Sequence, residues 1–469
     1  MVRGAERPMR WYGVFVVAVL SAVAGCGSVH NMPQNVPLSG GGLIQPETGR
    51  ADFVLDDDML LALSFSGGGT RAAAFSFGAL RAFSETPVPA RAGGGVLIDR
   101  VDFVSGVSGG SIPAAYFGLK KRAMLDDFRE NFLLRNPEES LNTQLTLANL
   151  GRGLSGGVNQ DTQLSGWLNR HLFKGATFKE LRDGRPRVWI NASDIYNRTP
   201  FVFGRTAFDA LCSDLNAFPV ADAVAASSAV PVAFAPIVIE SYGENCTRPL
   251  PPKVLRAVND SNANPMLHSF AQALMRYRDG SMKYVKLLDG GLVDNYGLSG
   301  FTISRLAAER PYEPMTPQEA VKIRRAMFLL VDAGRAPTDS KWVSQLDGPS
   351  GAELVAATSD TALDASVRAS YTAFQQVARD WQRQLIGWRC SLPPNERKRL
   401  GVKPGWNCRD VKFFVGRVDF GQFDGARAAA LNAIKTRFTL PAEEVELLIQ
   451  SGDEAVRRSP TFRAFLDSL

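Results

Sequence analysis

Histidine is scarce in this chain of 469 residues, which carries three, at His30, His171 and His268. Catalysis that needs an imidazole base is therefore limited to those positions. The chain also lacks a Lys/Arg block: its formal charge of +6 is spread along the sequence. That argues against nucleic acid as a partner and modestly favours an anionic lipid surface. Low-complexity tracts are missing too, and 45% hydrophobic with 21% charged residues is enough to bury a sizeable core. The length fits one large α/β domain with insertions, or two domains of ordinary size. The five cysteines have none of the close pairing of a zinc site, so no metal is expected.

The N-terminus carries Arg3, Arg7 and Arg10 ahead of an uncharged stretch, residues 11–24. This stretch is too short to span a bilayer comfortably and fits the apolar core of an export signal, expected over residues 1–25. The segment ends Val23-Ala24-Gly25-Cys26-Gly27-Ser28, which resembles the lipobox of bacterial lipoproteins. The resemblance implies a diacylated Cys26 as mature N-terminus, held on a membrane by about 0.8 kcal/mol per buried CH₂. Gly27, in place of Asp, resembles the signal for outer-membrane delivery. Residues 26–55, rich in Gly, Pro, Asn and Ser, read as a flexible tether. In an exported protein the remaining four cysteines pair most simply by proximity, Cys212 with Cys246 and Cys390 with Cys408; four buried free thiols are the alternative.

The folded body begins at residue 59, where 59–65 is a near-continuous apolar run followed by glycines, as in a buried parallel strand. A helical stretch (70–83), a short apolar run (101–104) and a second helix (110–121) follow. Further strands are predicted at 187–193, 201–203, 235–239, 284–288, 327–331 and 412–418. Strand alternating with helix predicts an α/β/α sandwich on a mainly parallel central sheet. Residues 124–180 and 242–283 read as helical insertions. In the second, Met266, Leu267, Phe270 and Leu274 form an apolar stripe that either packs on the core or serves as a lid or membrane-contacting helix. Residues 336–469 read as a mostly helical C-terminal part with one strand, packed on the catalytic domain (56–335).

Three motifs carry chemistry. Gly106-Val107-Ser108-Gly109-Gly110 lies between a strand and a helix, where a G-x-S-x-G turn exposes its serine in a strained position. Gly106 and Gly110 keep side chains out of that elbow. Second, Asp289 ends an apolar strand ahead of Gly290 and Gly291; it is placed to accept a hydroxyl proton directly, or is an Asx-turn residue and nothing more. Third, Ser66-Gly67-Gly68-Gly69-Thr70-Arg71 is a glycine turn without the Gly-Lys-Ser/Thr of a phosphate loop. Its reading is an oxyanion hole built from the N–H groups of Gly67, Gly68 and Gly69. Arg71 would support a substrate phosphate or the oxyanion, or make a structural ion pair. His30 lies in the tether, and His171 and His268 lie in the insertions away from strand ends, so a Ser-His-Asp triad is disfavoured.

In this order the three motifs resemble the patatin-like phospholipase family, marked by a G-G-G-x-R/K turn, a G-x-S-x-G elbow and a D-G-G/A motif. Ala226-Ser227-Ser228-Ala229-Val230-Pro231 resembles the family's small-residue helix and proline turn, and 191–203 its central hairpin. The similarity covers residues 59–300 and departs at Ala72, where the family usually carries glycine. The resemblance implies ester hydrolysis by a Ser108–Asp289 dyad through an acyl-enzyme, with no cofactor and with a membrane phospholipid or other lipid ester as substrate, of the phospholipase A or lysophospholipase type. An acyltransferase or thioesterase on the same fold, or a silent lipid-binding envelope lipoprotein, are the alternatives.

Overall fold

The computed structural model describes residues 31–38, 55, 57–141, 157–182, 184–337 and 341–469. The predicted export signal, Cys26 and most of the predicted tether lie outside the described residues.

Among the described residues, eight strands form one sheet: β1 (Met59–Phe65), β2 (Phe103–Val107), β3 (Arg187–Asp194), β4 (Thr199–Val202), β5 (Ile237–Glu240), β6 (Tyr284–Asp289), β7 (Arg325–Val331) and β8 (Lys412–Val418). Their spatial order is β5-β6-β3-β2-β1-β7-β8, with β4 paired to β3. β3, β2, β1, β7 and β8 run parallel; β4 and β6 pair antiparallel to β3, and β5 antiparallel to β6. Every residue of β1, β2 and β7 is buried. Such mostly apolar, wholly buried runs, interrupted by Ser64, Ser105 and Arg325, belong to central parallel strands covered on both faces.

The cover comes from seven principal helices: α1 (Gly69–Ser84), α2 (Ser111–Lys120), α3 (Val220–Ser227), α4 (Pro265–Arg278), α5 (Gly351–Ser391), α6 (Ala442–Arg458) and α7 (Pro460–Asp467). The pleat of β1 divides the core. Leu61, Leu63 and Phe65 join the cluster containing α1, α4 and α6, and Leu60 and Ala62 join the one containing Phe374 and Trp381 of α5. Helices α1 and α6 touch backbone to backbone. A Cβ on Gly78 would overlap the carbonyl of Ile449, and one on Gly452 that of Phe75.

On α4, Leu267, Phe270 and Leu274 are buried, so its stripe is a core face and not a lid. After β8 the chain forms α6, α7 and, ahead of them, a short helix at Gly425–Ala433. Pro460 at the first position of α7 removes a backbone donor and separates α6 from α7. Disulfides join Cys212 to Cys246 and Cys390 to Cys408. Within the predicted tether, residues 31–38 lie along the β5 edge. Asn35 Nδ2 donates to the carbonyl of Glu240 at 2.8 Å, and the N–H of Leu38 to the carbonyl of Cys212 at 3.0 Å.

Candidate active site

Strand register brings the motif residues together. Val107 pairs with Asn191 on β3, which sets Ser108 level with Ala192, and Ala192 pairs in turn with Asp289 on β6. Ser108 and Asp289 thus face each other across two strand spacings, about 9.6 Å, which their side chains span. The Ser108 hydroxyl donates to Asp289 Oδ2 at 2.7 Å, and both residues are buried.

Ser108 sits at φ +51°, the left-handed region that costs a non-glycine residue free energy and marks sites where surrounding structure fixes the backbone. That fixing is visible. The Ser108 N–H donates to Ser227 Oγ at 2.8 Å, and Ser227 Oγ donates to the carbonyl of Asn191 at 2.6 Å. Asn191 Nδ2 in turn donates to Ser105 Oγ at 2.8 Å and to the carbonyl of Gly106 at 2.9 Å. The elbow is therefore clamped by β3 and by the last residue of α3.

Asp289 is positioned from both sides. Its N–H donates to the carbonyl of Ala229 at 2.9 Å, and the N–H of Gly290 to that of Ser227 at 3.1 Å. Its Oδ1 accepts from the N–H of Gly291 at 2.8 Å, which leaves Oδ2 for the serine. Burial pushes this carboxyl up to about 6 from 3.8, against the opposing effect of the bonds from Ser108 and Gly291. It remains mostly ionised at pH 7 and is a stronger proton acceptor than a surface aspartate.

The glycine turn stands directly against the elbow. A Cβ on Gly109 would overlap the carbonyl of Gly69, and one on Gly67 would come within 3.3 Å of Ser108 Cβ. The three N–H groups of the predicted oxyanion hole are not equivalent. That of Gly67 donates to the carbonyl of Asn295 at 3.1 Å and is spent on structure, which corrects the expectation. Those of Gly68 and Gly69 have no partner among the described residues. Gly68 at φ +143° and Gly69 at φ +60° adopt conformations that glycine takes at low cost. The buried Ala72 lies in the first turn of α1, where a Cβ on Gly68 would be 3.3 Å from its own.

Arg71 resolves differently from its two sequence readings. It is buried, with Nε donating to the carbonyl of Ala333 at 2.9 Å and Nη1 to that of Ile434 at 2.9 Å. Desolvation and the neighbouring Arg335 pull it down to about 10, opposed by Asp332. Two of its three nitrogens are thus committed to backbone carbonyls, so it is neither an ion-pair partner in the simple sense nor an open phosphate clamp. Its Nη2 would lie 3.1 Å from a Cβ on Gly68, which keeps positive charge beside the turn.

Neither described histidine reaches the dyad. The His171 ring packs at 4.3 Å from that of Trp167. His268 Nδ1 is 2.8 Å from the carbonyl of Ala257, and its Nε2 is 2.9 Å from Gln272 Nε2. His30 and Cys26 lie outside the described residues. The sequence reading missed Asn191, Ser227 and Asn295 as site residues. Asn295 supplies the carbonyl for Gly67, and its side chain fills the space a Cβ on Gly67 or Gly291 would need. Its place six residues past Asp289 was the only local signal.

A patatin-like phospholipase family profile matches residues 63–302. Human GIVD cytosolic phospholipase A2 is similar at 12% identity with a TM-score of 0.38, over 88% of this chain and 62% of that one. VipD from Legionella pneumophila is similar at 14% identity and a TM-score of 0.27, over 89% and 68%. This chain thus spans less than two thirds of the human protein, and no curated protein matches it. The profile takes in β1, the glycine turn, the elbow and the Asp289 motif, and this chain belongs to the patatin-like phospholipase family.

Proposed function

We propose that this protein is a serine lipid acyl hydrolase in which Ser108 is the nucleophile and Asp289 the base. The observation that carries the reading is the 2.7 Å hydrogen bond from Ser108 Oγ to an otherwise buried carboxylate. In acylation, Asp289 Oδ2 takes the hydroxyl proton as Oγ attacks the ester carbonyl. The resulting oxyanion forms beside the Gly68 and Gly69 N–H groups, each such donor being worth about 2.7–4 kcal/mol to the transition state. Collapse expels the alcohol, which receives the proton from Asp289. A water then repeats the sequence on the acyl-enzyme, losing its proton to Asp289 and returning the serine with release of a fatty acid.

Family membership supports a phospholipid or lysophospholipid ester as substrate; the lipobox-like segment ending at Cys26 supports a lipid anchor on the bacterial envelope, and Gly27 supports delivery to the outer membrane. The experiment for the chemistry is labelling by a fluorophosphonate with hydrolysis of a defined phospholipid panel. Both are expected in the unaltered protein and absent in Ser108→Ala; a Ser108→Ala protein that still labels refutes the assignment. For the anchor, Cys26→Ser is expected to move the protein from the membrane to the soluble fraction, and unchanged fractionation refutes it.

A further inference from the structure

Two kinds of exposed side chain surround the dyad without an internal role in the fold. The turn after α3 carries Val230 and Val232, 42% and 66% exposed, and Leu292, 49% exposed, lies three residues past Asp289. Val232 is at φ +71°, a conformation rare for a β-branched residue, with its carbonyl held by the N–H of Val158 at 3.2 Å. Beside the oxyanion turn stand Arg335, Lys435 and Arg437, all exposed and without a carboxylate partner among the described residues. Backbone contacts place them there. Thr70 N–H donates to the carbonyl of Arg437 at 2.8 Å, Thr70 Oγ1 to that of Phe438 at 2.7 Å, and Arg71 to that of Ile434 at 2.9 Å. Glu138 is also close to this flank, and its Oε1 accepts from the N–H of Phe438 at 3.0 Å. The rings of buried Phe234 and half-buried Phe438 lie 6.4 Å apart, which sets the turn after α3 beside the segment that carries Lys435 and Arg437.

We propose that this face docks on an anionic phospholipid surface, with Val230, Val232 and Leu292 at the headgroup boundary and Arg335, Lys435 and Arg437 on lipid phosphates. The inference rests on the lipid-hydrolase reading and adds to it the charge class of the surface. Exposed apolar groups ringed by cations fit the boundary between acyl chains and negative headgroups. Three unpaired cations set against a second copy of the same face would repel, so self-association is the poorer occupant.

The chain's course supports the same orientation. Asn31 Nδ2 donates to the carbonyls of Ala235 and Pro236 at 3.0 Å each, three and four residues past Val232, and Met32 next to it is 71% exposed. The described chain thus meets the body at the docking face. Cys26 is five residues upstream, within about 18 Å even when fully extended. An acylated Cys26 and the docking face would hold the same side of the molecule to the lipid.

The test uses the chain from Gly27 onward, without the apolar run of residues 11–24 and without Cys26, so that attachment comes from the face alone, sedimented with phosphatidylcholine vesicles or with vesicles that also contain phosphatidylglycerol. The expected result is a preference for the anionic vesicles that weakens as salt rises. Arg335→Gln/Lys435→Gln/Arg437→Gln loses about fivefold in partitioning per charge removed, and with it the preference. Val230→Ser/Val232→Gly weakens binding to both vesicle types and keeps the preference; glycine at 232 also relieves the backbone, so folding is not the cause. Equal partitioning of the parent into both vesicle types, or partitioning that neither variant changes, overturns the docking face. Fluorophosphonate labelling of the parent separates the two claims: labelling without anionic preference sinks the face alone, and no labelling sinks the hydrolase reading.

Discussion

Replacing Asp289 by asparagine is expected to stabilise the protein at neutral pH while destroying turnover. The carboxyl is fully buried and its pKa stands near 6 against 3.8 in an open chain. Below 3.8 it is protonated folded or unfolded, and its charge costs nothing. Between 3.8 and about 6 the folded chain binds the proton more tightly, so stability falls as pH rises. Above that window the whole penalty is present, and a shift of about 2.2 units corresponds to about 3 kcal/mol. The amide carries no charge and keeps a carbonyl oxygen for the Gly291 N–H, with its NH₂ group facing Ser108. Asp289→Asn therefore recovers up to about 3 kcal/mol at pH 7.5, roughly 3 °C in unfolding temperature for a chain of this size. The gain shrinks to nothing at pH 3.5.

Urea unfolding of parent and variant from pH 4 to 8 measures the first half. The second half is kinetic: kcat/KM of the parent should rise about tenfold per pH unit below the carboxyl's pKa and level off above it, while the variant loses about 10⁴-fold. A variant that is less stable than the parent by the same amount at every pH refutes the reasoning, because burial would then not be penalising the charge. A parent profile with its acid limb near pH 4 does so as well.

His171→Ala and His268→Ala are expected to retain turnover on a lipid ester, since neither ring touches the dyad; loss of activity in either folded variant refutes the dyad. Ser227→Ala removes the acceptor for the buried Ser108 N–H, costing about 1–3 kcal/mol in stability, and should lower kcat at constant KM in stopped-flow acylation. An unchanged kcat would show that the elbow holds without the clamp. Cys212→Ala/Cys246→Ala opens a loop of 34 residues and should cost about 4 kcal/mol in denaturant unfolding under oxidising conditions; reductant should then add little beyond the loss of Cys390–Cys408.

What the sequence made legible followed short-range rules. β1 is a near-continuous apolar run and β7 is apolar from Ala326 onward, the elbow is a strand, a glycine-flanked serine and a helix, and Asp289 ends a strand ahead of two glycines. Each signal sits within about ten residues, where steric and periodic constraints act. What escaped depends on partners far along the chain. Arg71 had two readings because its acceptors, the carbonyls of Ala333 and Ile434, carry no side-chain signature. Gly67 looked like Gly68 and Gly69 until Asn295 was seen to occupy its N–H. Ser227 was one small residue among several in its helix, and only the β2–β3 register sets it under the elbow.

The same long-range contacts widen the proposed catalytic unit. The family profile ends at residue 302, yet the glycine turn is held from beyond it. Ser66 Oγ accepts from the N–H of Ala333 at 2.9 Å, Thr70 bonds the carbonyls of Arg437 and Phe438, and Arg71 spans Ala333 and Ile434. Those acceptors lie after β7 and in the segment leading into α6, and α6 packs on α1, the helix that begins with the turn. An oxyanion hole works by donors fixed before charge develops, so under the proposed function the backbone that fixes the glycine turn matters to the chemistry as much as Ser108 and Asp289 do. The C-terminal part, expected from sequence to pack on the catalytic domain, therefore forms a wall of the proposed active site.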